Sequence, residues 1–155
     1  MPTLNVPQAA FLGLPHKFRA FVAGFGSGKT WVGCAGLCQH AWEFPRVNAG
    51  YFAPSYPMIR DIFYPTIEEV AEDWGLRAVV RKSDHEVHLY AGRQYRTTVI
   101  CRSMDDPGKI VGFKIGKALV ARGRLDQASA EILTGPLTAR ASGIKALNAL
   151  MKAFA

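Results

Sequence analysis

Apolar and polar positions alternate in blocks that predict strands and helices by turns along most of the chain. Phe18 to Ala23 is an apolar run with Arg19 inside it, the pattern of a strand. From Gly28 to about Glu43, Trp31, Cys34, Ala35, Cys38 and Trp42 fall on one stripe with the 3.6-residue period of a helix packed on a sheet, and Pro45 ends it. Ala49 to Ala53 predicts a second buried strand, stopped by Pro54. Ser55 caps a helix with Pro57 in its first turn and Met58, Ile59, Ile62 and Phe63 as its apolar face. Pro65 breaks or kinks that helix. A further helical piece carries Ile67, Val70, Ala71 and Trp74 and stops at Gly75. Three short strands follow, at 76–81, 86–90 and 97–101, the last two joined through the turn signal Ala91-Gly92-Arg93-Gln94. After a polar loop from Ser103 to Gly112, Ile115 to Val120 predicts another buried strand. Met1 to Lys17 shows no clear period.

Between the first strand and its helix stands Ala23-Gly24-Phe25-Gly26-Ser27-Gly28-Lys29-Thr30. The spacing is that of G-x-x-x-x-G-K-[ST], a P-loop, with Ala23 in the first position, where a small residue suffices. Glycines let successive backbone N–H groups turn inward around phosphates, and the helix N-terminus adds partial positive charge. Lys29 is placed to reach the outer phosphates of ATP, and the Thr30 hydroxyl to hold Mg²⁺. The predicted nucleotide contacts are thus Gly24, Gly26, Ser27, Gly28, Lys29 and Thr30, with Lys29 as the catalytic cation. The bland alternative, a glycine turn that binds nothing, gives no packing reason for Lys-Thr at a helix start. Gln8, about twenty residues earlier, has an amide able to read an adenine edge, although any surface glutamine looks the same.

Composition narrows the setting. A chain of 155 residues has the length of one ordinary domain. The formal net charge of +7 calls for a polyanionic partner, and ATP and nucleic acid both qualify. Arg77, Arg81, Lys82, Arg93, Arg96 and Arg102 concentrate that charge, either as a solvated face or as contacts to a phosphate backbone. No apolar run reaches the ~18 residues that span a membrane, and no basic patch precedes an apolar core at the N-terminus, so a cytoplasmic protein is expected. The three cysteines, Cys34, Cys38 and Cys101, are expected as buried thiols rather than metal ligands. His85 and His88, three apart on an expected strand, point to opposite faces.

Several segments together resemble the ATPase half of phage terminase large subunits. They are Pro7-Gln8, the loop from Ala23 to Thr30, Phe52-Ala53-Pro54-Ser55-Tyr56 with Arg60-Asp61, and Ser103-Met104-Asp105-Asp106-Pro107-Gly108-Lys109-Ile110-Val111-Gly112-Phe113 leading to Ala118-Leu119-Val120. The resemblance covers roughly residues 5 to 120. It implies an α/β, ASCE-type P-loop NTPase fold with a mainly parallel central sheet flanked by helices. It also implies ATP and Mg²⁺ as ligands and Gln8 as the adenine contact. The implied partners are double-stranded DNA bound without sequence preference, a portal ring and a terminase small subunit. The implied setting is a bacterial host cytoplasm, with a phage or prophage gene; oligomeric state is left open.

The departure from the family begins after Val120. There the family has Asp-Glu, the Asp helping to hold Mg²⁺ and the Glu polarising the attacking water; this chain has Ala121-Arg122. Asp126 comes too late for the strand end, and Asp105 and Asp106 are the remaining substitutes. Residues 121–155 read as an Ala-rich, basic, helical tail, with Ile144, Leu147, Leu150 and Met151 in a helical period, and no nuclease domain is visible. Residues 1–120 are therefore expected as a partial ATPase domain. Two functions follow: the ATP-hydrolysing part of a DNA-packaging motor, or a nucleotide-binding, non-hydrolysing fragment or interaction module from a truncated or frameshifted prophage gene. A small P-loop kinase is a distant third, since no lid or acceptor pocket is legible.

Overall fold

In the computed structural model the described residues are 2–105, 110, 112–125 and 128–134, the backbone alone being described for 122–125 and 128–134. A seven-stranded sheet runs in the order β1-β7-β6-β2-β5-β4-β3. The strands are β1 (Phe18–Ala23), β2 (Ala49–Ala53), β3 (Arg77–Arg81), β4 (Glu86–Ala91), β5 (Gln94–Ser103), β6 (Lys117–Leu125) and β7 (Ala128–Thr134). The helices are α1 (Val6–Leu12), α2 (Lys29–Glu43), α3 (Tyr56–Met58) and α4 (Tyr64–Asp73).

Only the centre of the sheet is parallel. β2 pairs in parallel with β5 and with β6, whereas β1–β7, β6–β7, β3–β4 and β4–β5 are antiparallel. The expectation of a mainly parallel sheet is therefore corrected. The parallel pairs arise where α3, α4 and the β3–β4 strands, and then the 104–116 connection, carry the chain back to the same end of the sheet. The antiparallel pairs β3–β4 and β4–β5 arise where a short turn closes a hairpin, at 82–85 and at 92–93, and β6–β7 joins strands consecutive in the chain, whereas β1–β7 pairs strands far apart in sequence. The expectation of a helical tail from residue 121 also fails over the described part. β6 runs on past Val120 and β7 follows it, both within the one sheet. Residues 135–155, including the helical period at Ile144 to Met151, lie outside the described residues.

β2 is buried along its whole length, as an all-apolar run beside two neighbours requires. Alternate residues of the central strands divide between two apolar clusters. Tyr51, Ala53, Val99, Cys101, Leu119 and Ala121 face α2 and α4, where Val32, Leu37, Cys38, Phe63, Ile67 and Val70 meet them. The other face carries Phe52, Ile100, Ala118 and Val120, covered by Ile110 and Ile115. The Tyr51 and Phe63 rings stack at 3.7 Å.

Local chemistry explains most departures from the sequence pattern. Residues 6–12 form a helix because Asn5 and Gln8 make a reciprocal capping box and Pro7 supplies a preset φ at its start. Pro65 does not break its helix. It lacks the N–H that would bond back four residues, and the chain widens into a π-turn over Ile59–Phe63 immediately before it. Thr66 Oγ1 donates to the Ile62 carbonyl at 2.7 Å and supports that wide turn. Trp31 and Trp42 border α2 rather than filling the core; their indole N–H groups donate to Thr3 and Trp74 carbonyls, both at 3.0 Å. Their size and polar edge favour such half-buried positions.

Candidate functional site

The run from Ala23 to Thr30 lies at the sheet end where β1, β2, β5 and β6 all finish. β1 ends at Ala23, the glycine loop follows, and α2 begins at Lys29 with Gly28 as its N-cap. Gly26 and Gly28 take φ of 74° and 75°, the left-handed region that a side chain disfavours. At Gly24 and Gly26 the space where a Cβ would sit is open. At these two glycines the loop therefore presents bare backbone to whatever approaches it. Lys29 is buried, and its Nζ donates to the Gly24 carbonyl at 2.5 Å and to Ser27 Oγ at 3.3 Å. Ser27 Oγ in turn donates to the Gly24 carbonyl at 2.8 Å. The ammonium is thus held within the loop. Thr30 follows in the first turn of α2, half-buried. Phe25 stands at the loop tip, 86% exposed.

Gln8 is beside this loop, not on a remote surface. It is buried, its Oε1 accepts from the Asn5 N–H at 2.9 Å, and its Nε2 donates to the Gly28 carbonyl at 3.1 Å. A Cβ on Gly28 would come within 2.4 Å of that Nε2. The amide thus fastens α1 to the end of the glycine loop, and glycine at position 28 is required twice over, by φ and by this approach.

The register fixes what stands near the loop from the other strands. Through β7, Phe21 of β1 aligns with Glu131 and Glu131 with Ala121 of β6; Val22 aligns with Ala130 and Ala130 with Arg122. Positions 121 and 122 therefore come to the same sheet end as the loop, two strand steps from β1, as expected of the strand that ends near Val120. Ala121 is buried in the apolar cluster and brings no oxygen there. Glu131 is the acid that the register sets directly between β1 and β6. The sequence pattern hides it, because the Ala-rich composition of 121–155 predicts a helical tail; one acid among the small and apolar residues of Ala128–Thr134 is the available signal. Asp105 follows the end of β5, exposed, its N–H donating to Ser103 Oγ at 3.2 Å. β5 is four strand steps from β1, about 19 Å at ~4.8 Å per step. Asp106 lies outside the described residues.

The donor set fits a phosphate chain: open glycine backbone, a helix N-terminus and one loop-held ammonium. It fits Mg²⁺ by half, through the Thr30 hydroxyl, without a carboxylate at position 121. Among the described residues no group of His, Cys, Asp and Glu could hold a metal ion, and Cys34, Cys38 and Cys101 are buried thiols. Burial pushes the Cys38 and Cys101 thiols up, away from reactivity. His85 is not on a strand; it turns with φ 54°, while His88 on β4 pairs with Glu86 at 3.0 Å.

The basic residues divide. Arg96 donates to the Ala41 and Trp42 carbonyls at the end of α2, at 3.1 and 2.7 Å. Arg102 donates to the Cys101 and His85 carbonyls, at 2.7 and 3.3 Å. These two hold the fold. Arg77, Arg81, Lys82 and Arg93 are exposed at or beside the β3 edge of the sheet.

Comparison with known proteins gives the following. A family model described as terminase large subunit, T4likevirus-type, N-terminal, matches residues 20–120. The large terminase ATPase domain of Thermus phage P74-26 is similar in structure, with a TM-score of 0.56 at 14% identity over 76% of this chain. That alignment takes in 53% of the phage domain, so this chain spans about half its length. No curated protein matches. Among the described residues no helix is long and apolar enough to cross a membrane.

Proposed function

The chain belongs to the terminase large subunits of the T4-like type, through their N-terminal part, and from that premise we propose that it is the nucleotide-binding part of a motor that drives double-stranded DNA into a viral shell. The observation that carries this reading is the loop between β1 and α2, with two left-handed glycines and the Lys29 ammonium held inside it. The fold is read as a P-loop NTPase of the ASCE type, with ATP as ligand. The loop N–H groups and Lys29 bind the phosphates and Thr30 contributes its hydroxyl to Mg²⁺; for Gln8 to serve as the adenine contact that the family resemblance implies, its amide must first leave Asn5 and Gly28. Mg²⁺, when bound, neutralises charge on the outer phosphates.

Hydrolysis is the weak part of the machine. A carboxylate that orients water contributes ~10²–10⁴-fold in rate, and positions 121 and 122 offer none. This favours binding with little turnover over a working motor. Glu131, whose register position pairs with Ala121, is a further candidate acid beside Asp105. DNA, portal ring and small subunit are the partners the family implies; the exposed cations at the β3 edge are the surface for DNA.

Calorimetric titration of the parent and of Lys29→Ala with Mg·ATP tests the reading. Charge-assisted contacts are worth roughly 1.5–3 kcal/mol each, so affinity should fall by at least tenfold in the variant. Equal affinities would mean that the loop is not a phosphate site.

A further inference from the structure

A second concavity lies at the same sheet end as the glycine loop, beyond β2. Tyr56, Pro57, Ile59, Arg60, Tyr64, Lys82 and His85 enclose a cavity of about 170 Å³. Apolar cavities of ~150 Å³ accept a benzene ring, so the space suits one aromatic ring. Its lining runs from the segment after β2, three strand steps from β1, to the β3–β4 turn, five to six steps away, roughly 14 Å or more at ~4.8 Å per step, so a nucleotide on the glycine loop would leave it open. Three features point to a ligand. Tyr56 and His85 lie tilted against one another, their ring centroids 4.3 Å apart and their planes at 33°, and form an aromatic wall. Tyr64, 5% exposed, belongs to the lining, and its buried hydroxyl has no partner among the described residues. Leaving such a group unpaired costs stability unless something else uses it. Finally, Arg60 and Lys82 are exposed cations on the lining, Arg60 being steadied by Asp61 at 2.7 Å. The wall is set by the π-turn before Pro65 on one side and by the left-handed backbone of His85 on the other.

We infer that this cavity is a second ligand site for a nucleoside monophosphate unit, its base against the Tyr56–His85 wall and its phosphate between Arg60 and Lys82. The unit can be a free mononucleotide or an unpaired nucleotide of a DNA strand, since both offer a planar ring beside an anion. Ring stacking on aromatic side chains with a cationic track for the phosphate is the recognition chemistry of unpaired strands. In a duplex the base is stacked and paired and cannot enter.

The test uses the full chain and 2-aminopurine fluorescence, which is quenched on stacking, with the probe as a free deoxynucleoside monophosphate, in a single-stranded oligonucleotide and in the matching duplex. Quenching by the free or single-stranded form, and not by the duplex, is expected, and which of the two it is identifies the source. Tyr56→Leu should weaken binding at least about fivefold. Tyr64→Phe, which keeps the ring and folds at least as well, should weaken it about two- to tenfold. Lys29→Ala should leave it unchanged while losing Mg·ATP, which separates this site from the glycine loop. No quenching in any form, full affinity in both tyrosine variants, loss of the probe in Lys29→Ala, or complete displacement by inorganic phosphate would each overturn the inference.

Discussion

Lys117 is a lysine at the start of a strand with only 4% of its surface exposed. Burial first, and then the nearby Arg19 guanidinium, bring its pKa down from 10.5 to about 8, with Glu43 opposing. The folded state therefore gives up this proton before the unfolded chain does. Between about pH 8 and 10.5 the unfolded state binds more protons, so this residue makes stability rise with pH across that window. The buried thiols of Cys38 and Cys101 act in the opposite sense once unfolded thiols ionise. The clean measurement is accordingly the difference between Lys117→Met and the parent in urea unfolding at pH 7 and pH 10. The variant should be the more stable at pH 7, by up to roughly 3 kcal/mol, and the gap should close by pH 10. An unchanged gap would assign the effect to packing. Gly28 offers a second test at this scale. Gly28→Ala meets both a left-handed φ and the Gln8 amide, and should lose ~1–2 kcal/mol of stability together with most of its affinity for Mg·ATP. A loop that keeps full affinity with alanine there would show that this backbone shape is not what binds.

Among the elements, the ends of helices were harder to read than their faces. Arg96 is far from α2 in sequence, yet it donates to two of the carbonyls that the helix leaves open at its last turn and lies over the Trp42 ring at 5.2 Å. Arg19 does the same for α1, donating to the Leu12 carbonyl at 2.7 Å. Charge runs reveal number, not address, so the sequence pattern alone does not separate Arg96 and Arg102, which hold the fold, from the exposed cations. Arg96→Ala should cost ~1–3 kcal/mol in thermal or urea unfolding without altering DNA binding. A drop in DNA affinity at unchanged stability would return Arg96 to the binding surface. The apolar periods placed α2, β2, β4 and β5 correctly, because burial imposes its period directly on the sequence. They missed β7, where alanines and one acid blur the alternation, and with it Glu131. Strand register, which no local pattern encodes, is what sets Glu131 beside Ala121. Single-turnover hydrolysis should be slow in the parent and slower by at least about tenfold in Glu131→Gln, with Asp105→Asn unaffected. Equal rates in the parent and Glu131→Gln would remove Glu131 from the site.

On the scale of the whole molecule, the positive charge is distributed unequally over the sheet. The glycine loop is at the β1 side, and the exposed Arg77, Arg81, Lys82 and Arg93 are at the β3 side. Nucleotide and duplex can thus be held at once without competing for the same cations. DNA affinity should fall with salt at a slope of about −0.9 per phosphate contact, and replacing Arg81 and Lys82 by glutamine should flatten that slope while leaving Mg·ATP binding intact. A slope unchanged by those replacements would move the duplex to another face.

Among the described residues the β1 strand has one sheet neighbour, β7, and Phe18 pairs with Thr134 across almost the full described length of the chain. The pairs β2–β5 and β4–β5 close over much shorter separations. Loop-closure entropy therefore orders the assembly: the middle of the sheet can form early, while the strand that carries the glycine loop waits for the last described strand to arrive. During synthesis the loop is made long before the strand that anchors it. A ligand that binds only the anchored loop would draw β1 and β7 together by mass action. Mg·ATP should then slow amide hydrogen exchange in these two strands well before it changes exchange in β2 or β5, so that the nucleotide acts as a clasp on the finished fold.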